Sequence, residues 1–467
     1  MPGPDLFDLS SPRRIHVVGA GGMGMSAIAT VLVAMGHRVS GSDLKSSSGL
    51  ERLRTLGVDV AVGHRAENVA GADAVTFSTA VPATNPELVA AAGAGVSVLR
   101  RAEMLASVVA TRRGVGVAGT HGKTTTSSML ALVLVEAGLR PSFLIGGQVN
   151  DVGSGAVWDV GEWLVVEADE SDGTFLELPV EAVVVTSVEP DHLARYGGSF
   201  DTLVAAFGRY LAGAPGPKVV CADDPVAARL AASTGALTYG TADSADFRMT
   251  AVAGGRSSVA FTVGHQGAEL GRVRLPVPGL HNARNACAAL VTGLQLGAPF
   301  DAAAAALARY GGVARRFQFR GERGGVSFVD DYAHLPGEVR AVLAAARDGG
   351  WQRVVAVFQP HRYSRTAEVA AGFAGAFDDA DLVVLTDVYG AGEVPRPGVT
   401  GKLVLDAVLE ARPSTKAAYL PSRQELAPYL RRTLRAGDLC LTLGAGDITL
   451  LADELLRPAP SGGSGPA

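Results

Sequence analysis

The sequence predicts an α/β protein built from three α/β units in series, on three observations. At 467 residues the chain has room for about three domains of roughly 150 residues each. Two glycine-rich turns, at residues 19–24 and 119–122, each follow a short apolar run and open a helical stretch. Beyond about Val326 the apolar runs VSFVDD, RVVAVFQ, DLVVLTD and DLCLTLG alternate with alanine-rich helical stretches, as strands and crossover helices do.

Taken in order, RIHVVG at 14–19 reads as a strand, Met23 to Met35 as a helix, and HRVSGSD, ending at Asp43, as a second strand. The runs Ala74 to Phe77 and Val96 to Leu99 continue this first sheet to about residue 108. A new unit follows with the runs GVGVAG, EWLVVEAD, AVVVTSVE and KVVCADD. Each ends in small or acidic residues, and open α/β sheets carry their ligand chemistry at such strand ends. From Asp246 to Pro278 the pattern is β-rich, and a helix is expected from about Asn282 to Leu296. The terminal PAPSGGSGPA reads as a flexible tail.

Composition excludes several function classes. The net charge is 41 − 46 = −5, which leaves no basic excess to hold a nucleic-acid backbone. Cys221, Cys287 and Cys440 lie far apart without CxxC spacing, so neither a disulfide framework nor a thiolate zinc site is expected. That usage fits a reducing cytosol. The N-terminal segment, with Asp5 and Asp8, lacks a signal-peptide core, and no apolar stretch reaches the roughly 20 residues a membrane span needs. A cytoplasmic protein without membrane partners is expected.

Gly19, Gly21 and Gly24 satisfy G-x-G-x-x-G between a strand and a helix, with Asp43 19 residues on. Positions without side chains let a diphosphate reach the amides at a helix N-terminus, and the acid suits a ribose hydroxyl. The pattern leaves open a nicotinamide or flavin cofactor, another nucleotide diphosphate, or a purely structural turn. At the second turn, Gly119-Thr120-His121-Gly122-Lys123-Thr124-Thr125 resembles a phosphate loop, although Val117 stands where G-x-x-x-x-G-K-[ST] needs its first glycine. Backbone amides and Lys123 suit phosphate oxygens, and the Thr124 hydroxyl suits Mg²⁺. Only five of the 41 basic residues are lysines, so the one in this loop stands out against 36 arginines. The alternative is a tight turn with a solvated lysine.

Acids gather at the next strand ends. WLVVEADESDG closes with Glu167, Asp169, Glu170 and Asp172, and Asp191-His192 follows AVVVTSVEP. Carboxylates there can serve Mg²⁺ beside a phosphate loop, or form a solvated cluster. DDYAHLPGE at 330–338 and FQPHRYSRT at 358–366 also follow strands. Arg362 and Arg365, at i and i+3, could hold one anion together if the segment is helical; otherwise it is an ordinary polar loop.

Together GTHGKTTT, EADESDG, PDH, GLHNARNACAAL, GVARRFQ, DDYAH, FQPHRYSRT, DVYGAGE and GAGDI resemble the Mur ligases, ATP-dependent amide-forming enzymes of peptidoglycan precursor synthesis. The resemblance implies a Rossmann-like UDP-substrate domain (1–108), a central phosphate-loop ATPase-like domain with added β structure (109–320), a C-terminal Rossmann-like domain (321–457) that closes over the site, and the tail 458–467. It implies ATP and Mg²⁺, UDP-N-acetylmuramate and L-alanine as substrates, and a monomer or homodimer. The diphosphate at the first turn then belongs to the substrate, with Gly21, Gly22, Met23, Gly24, Asp43, Ser78 and Thr79 around it. By the same resemblance Lys123 grips the β- and γ-phosphates, Thr124 and Glu167 hold one metal, and His192 a second. His281, Asn282 and Asn285 receive adenine, while Arg315 and Asp331 border ATP. His334, His361, Arg362 and Arg365 serve the acceptor and amino-acid end. Two departures stand out: Leu335 replaces a second histidine common in this group, and no lysine lies between Lys123 and Lys218 to be carbamylated. A sister ligase adding a preformed peptide, or an NAD-dependent oxidoreductase, are the rival readings.

Overall fold

The computed structural model describes residues 6–457; the expected tail and Asp5 lie outside them. The first sheet has five strands in the spatial order Asp59–Val62, Arg38–Asp43, Arg14–Val18, Ala74–Phe77 and Ser97–Arg100, all parallel. Its central strand carries Ile15, Val17 and Val18 fully inside. Helix Met23–Ala34 packs Met25, Ile28, Val31 and Leu32 inward. The order of connection reverses beside Arg14–Val18, which opens a crevice at its carboxyl end. Gly19 and Ser78 stand there, so close that a Cβ on Gly19 would lie 3.1 Å from Ser78 Cβ.

The second sheet has ten strands. Its middle is Arg113–Ala118, parallel to Trp163–Glu167 on one side and Val180–Val185 on the other. Lys218–Cys221 and Leu237–Gly240 extend it beyond Val180–Val185, and the β-rich segment supplies Phe247–Gly254, Val259–His265 and Ala268–Leu275 at that end. At the other end stand Ser142–Val149 and Ser154–Val157. The sequence reading missed this pair, because glycines 146 and 147 interrupt its apolar run. Helix Lys123–Glu136 follows the middle strand directly.

The third sheet has six strands in the order Gln318–Arg323, Val326–Asp331, Asp438–Leu443, Arg353–Phe358, Leu382–Leu385 and Ala417–Tyr419. Only the first pair is antiparallel. The expected boundary at 320/321 falls inside Gln318–Arg323, which pairs with Val326–Asp331. Phe358, Phe373 and Phe377 lie in the core on one side of this sheet; Val355, Val357, Cys440 and Leu451 lie in a separate one.

By internal packing the chain forms two compact units. One comprises the described residues to Ala251 with Phe261–Val273 and Arg284–Gly311; the other comprises Val252–Ala260, Arg274–Ala283 and the described residues from Gly312. The first two sheets are thus not independent bodies, whereas the third has its own core. Among the described residues no helix is long and apolar enough to cross a membrane.

The Tyr210 hydroxyl lies inside the first unit with no hydrogen-bond partner, and burial raises its phenol well above the ordinary range. It fills the place of a side chain at Gly116, where a Cβ would come within 1.9 Å of the oxygen. An unpaired buried hydroxyl costs about 1–3 kcal/mol. Tyr210→Phe is therefore expected to match the native protein or exceed it by about 1 kcal/mol in urea unfolding. Gly116→Ala should be better tolerated in that background. A clear loss of stability in Tyr210→Phe would contradict the assignment.

Candidate active site

The second glycine turn is shaped by close approach. Gly119 has φ +130°, and a Cβ there would lie 2.1 Å from Thr186 Oγ1; Gly122 has φ +81°, and a Cβ would lie 2.5 Å from Asn285 Oδ1. A side chain at Gly119 would force the loop off the segment after Val180–Val185, and one at Gly122 would force it off helix Leu280–Gln295. The amides of Thr120 and His121 donate to the Ser187 carbonyl and hydroxyl, and the Glu189 amide donates to Thr120 Oγ1. Those two loop amides are spent within the protein, so they cannot join the amides expected at a phosphate without first leaving Ser187. Thr125 is buried at the start of helix Lys123–Glu136, and its carbonyl accepts from Ser128.

Lys123 points back into the loop. Its Nζ donates to the Gly119 carbonyl (2.8 Å) and to both oxygens of Glu170 (2.9 and 2.8 Å). Burial favours the neutral amine, but the carboxylates of Glu170, Asp169 and Glu167 outweigh it and raise the ammonium above its ordinary value. Burial pushes the Asp169 carboxyl up, yet Lys123 and the Ser171 bonds bring it below the usual range.

Thr124 Oγ1 donates to Glu167 Oε1 at 2.7 Å, and the other Glu167 oxygen accepts from the Gly146 amide. The two expected Mg²⁺ donors are therefore adjacent, and both are oxygens. Mg²⁺ is commonly held by one or two protein oxygens together with substrate phosphates and water, so this set fits it. Among the described residues no three His, Cys, Asp or Glu side chains gather as a metal cluster. His192, at φ +53°, is paired through Nε2 with its neighbour Asp191 at 3.2 Å.

Helix Leu280–Gln295 begins two residues before the expected Asn282. Asn282 Nδ2 donates to the Pro278 carbonyl, and the His281 ring lies against Gly279. Arg284 on the same helix reaches Asp223 at 2.6 Å, and that carboxylate also takes the amides of Thr241 and Ala242. This tether was not legible, because 61 residues separate its ends.

At the first turn the amides of Gly19 and Ala20 donate to the Ser42 carbonyl and that of Gly22 to Gly19. Asp43, expected at a ribose, closes the turn: one oxygen accepts from the Gly21 amide (2.9 Å) and the other from Leu44 (2.7 Å). Any contact with a ribose must use its remaining lone pairs. Met23 and Thr79 are exposed, and Ser78 is half-buried. Two residues beyond the expected set act here. Arg101 lies against Gly24, with Nη1 3.1 Å from where a Cβ would stand, and pairs with Asp172 at 3.1 Å. Glu87, fully buried, accepts from the Ser42 hydroxyl at 2.6 Å. Burial alone would raise its carboxyl, but His16, Ser42 and Asn68 hold it at about 2.

In the second unit Arg315 (φ +63°) spends its guanidinium on Asp330 and on the carbonyls of Gly444, Ala445 and Gly446. Asp331 accepts the amides of Phe317 and Ala333, both at 2.7 Å, and burial pushes its carboxyl up to about 6. Both residues, expected beside ATP, thus have structural partners in this unit. Arg362 (φ +67°) caps helix Tyr363–Val369 from outside. Arg362 thus stands at the helix's N-terminal boundary, and Arg365 lies within its first turn. Arg365 donates to His361 Nδ1 at 3.1 Å, and the His361 ring stacks on Tyr389 and meets His334 edge-on. Leu335 is buried, where a histidine would lose water.

Burial, with His334, Arg365 and Arg362 close by, lowers His361 to about 4, and burial lowers His334 as well. A histidine kept neutral on folding leaves stability unaffected above its unfolded value of about 6.5 and subtracts from it as pH falls from there toward 4. The unfolding midpoint should therefore drop more steeply over that window in the native protein than in His361→Gln. Equal slopes would show that His361 protonates freely in the folded state.

Comparison with known proteins agrees with this geometry. Family models match in chain order: the Mur ligase family catalytic domain at 14–113, the Mur ligase middle domain at 117–293, and the Mur ligase glutamate ligase domain at 315–446. The UDP-N-acetylmuramate–L-alanine ligase of Pelotomaculum thermopropionicum is 44% identical over 96% of this chain and 98% of its own. The enzyme of the same name from Solidesulfovibrio magneticus is 46% identical over 93% and 96%. The crystal structure of UDP-N-acetylmuramate-alanine ligase from Thermotoga maritima superposes with a TM-score of 0.80 at 29% identity, covering 95% of this chain and 98% of that one. Two glycine turns at strand ends, an acid strand end beside the second, and this end-to-end likeness agree: the chain belongs to the Mur ligase family.

Proposed function

We propose that the protein joins L-alanine to the carboxylate of UDP-N-acetylmuramate at the expense of ATP, as a cytoplasmic step of peptidoglycan precursor synthesis. The observation that carries this reading is the Lys123–Thr124–Glu167 group at the second glycine turn, which lies in the same compact unit as a second nucleotide-type turn at Gly19–Gly24. An oxidoreductase uses only the first turn. The full-length relatives named for this reaction support the choice of substrates.

A carboxylate is a poor acyl donor, because oxide is a prohibitive leaving group and the anion repels an amine. In the proposed reaction its oxygen attacks the γ-phosphorus and the bond to the β-phosphate oxygen breaks, giving an acyl phosphate and ADP. The amine of L-alanine then attacks the acyl carbon, loses a proton, and phosphate leaves as the amide forms. Lys123 supplies a compact positive charge to the β- and γ-oxygens. Mg²⁺, which Thr124 and Glu167 would hold, neutralises phosphate charge when bound. Asn285, against Gly122, is suited to the adenosine end of ATP. The Gly21–Gly24 turn with Arg101 suits the UDP diphosphate. His334, His361, Arg362 and Arg365 are assigned to the acceptor end, and a monomer or homodimer is expected.

Incubation with UDP-N-acetylmuramate, L-alanine and MgATP should release ADP over many turnovers only when both the muramyl nucleotide and L-alanine are present. Phosphate release that ignores the muramyl nucleotide would overturn the reading, as would a preference for a peptide over alanine. Lys123→Ala should lose about 10²–10³-fold or more in turnover, because it removes charge stabilisation from the phosphoryl step, and should also lower the unfolding midpoint, because it leaves the buried Glu170 without its cation. Turnover retained in that variant would take the loop out of the chemistry.

A further inference from the structure

We propose that Glu170 is a positioning residue of the phosphate loop: it holds the Lys123 ammonium while the site lacks nucleotide, yields it to the phosphates when ATP enters, and takes it back as ADP leaves. The proposal rests on the ATP-site reading above.

An ammonium has three donors and no more. In Lys123 they face the Gly119 carbonyl at 2.8 Å and the two Glu170 oxygens at 2.9 and 2.8 Å, with the Thr120 carbonyl farther off at 3.5 Å. A phosphate can be gripped only if one of these partners gives way. The Gly119 carbonyl belongs to a backbone wedged against Thr186 and Ser187, so the exchangeable partner is the carboxylate. Glu170 yields by side-chain rotation, because its main chain is fixed. Its carbonyl accepts from Tyr196 Oη (2.6 Å) and from the Gly173 amide (3.1 Å), and the neighbouring Asp169 caps the Ser171 amide.

The exchange is energetically two-sided. The triphosphate carries more negative charge than one carboxylate and so attracts the ammonium more strongly. The Glu170 side chain, however, is only 2% exposed, and a carboxylate buried there without its cation is costly. The pair therefore reforms when the phosphates depart. Glu170 weakens nucleotide binding in this scheme and speeds the release of ADP. In the sequence Glu170 is one of four acids at this strand end, and nothing local tells it apart from Glu167, three residues earlier.

Glu170→Gln keeps the size and one acceptor and removes the charge. It should bind MgADP about tenfold more tightly by calorimetry, since no close charge pair has to be broken, and release it correspondingly more slowly in stopped-flow displacement. The KM for ATP and kcat should fall together, and Glu170→Asp should lie between. A residue of merely structural importance would instead raise KM and lower the unfolding midpoint. Unchanged or weaker MgADP binding by Glu170→Gln overturns the proposal. Should that variant not fold, a crystal structure of the native protein with MgADP decides: Lys123 on the β-phosphate and away from Glu170 supports the exchange, and both Glu170 contacts intact refutes it. Native protein that fails to bind MgADP would sink the ATP reading itself, which keeps the two failures distinct.

Discussion

A phosphate-handling turn needs positive charge and backbone amides at the carboxyl edge of a parallel sheet, and it meets both only where no side chain fills the space. In this protein that constraint falls on Gly119 and Gly122. Their backbones lie so close to Thr186 and Asn285 that a single methyl group would collide with either. Every other element of the proposed ATP site is placed relative to that turn. The helix begins at Lys123, the strand Trp163–Glu167 brings its carboxylate to Thr124, and the strand Val180–Val185 leads into the Ser187 that anchors the loop.

The charge balance around the turn is negative without nucleotide. Glu167, Asp169 and Glu170 all act on the one ammonium of Lys123, and the buried Glu170 partner makes the cation hard to remove without cost. Backbone amides at the two turns are likewise less available than motif chemistry implies. Those of Gly19 to Gly22 are all engaged by Ser42, Asp43 or Gly19, and those of Thr120 and His121 by Ser187. The anion-facing work is left to cations and to the helix starts. This is why Arg101 and Lys123, each paired with an acid of the 167–172 segment, gain importance over the glycines that advertise the sites.

In the second unit, charge has a different use. Asp330 and Asp331 are fully or nearly fully buried, and their oxygens bind Thr442, Thr449 and Arg315, or the amides of Phe317 and Ala333. These bonds fix the segment entering the sheet, including residues at positive φ such as Arg315 and Phe317. The histidine pair 334 and 361 is kept neutral by burial, so it can accept or donate one hydrogen bond per ring nitrogen without carrying charge.

The sequence by itself determined the strand–turn–helix units, both glycine turns, the acid strand end and the family. Each of these is local: apolar runs, turn residues and the helices that follow are written within a few consecutive positions. The tertiary structure decided how those residues spend their bonds. That Asp43 closes its own turn, that Arg362 stands outside the helix carrying Arg365, that Arg315 is bound to carbonyls about 130 residues away, and that Glu170 holds Lys123 all depend on partners brought together from distant segments. Hydrogen bonds and charge pairs act over about 3 Å in space, with no regard for separation along the chain, so no local pattern encodes them.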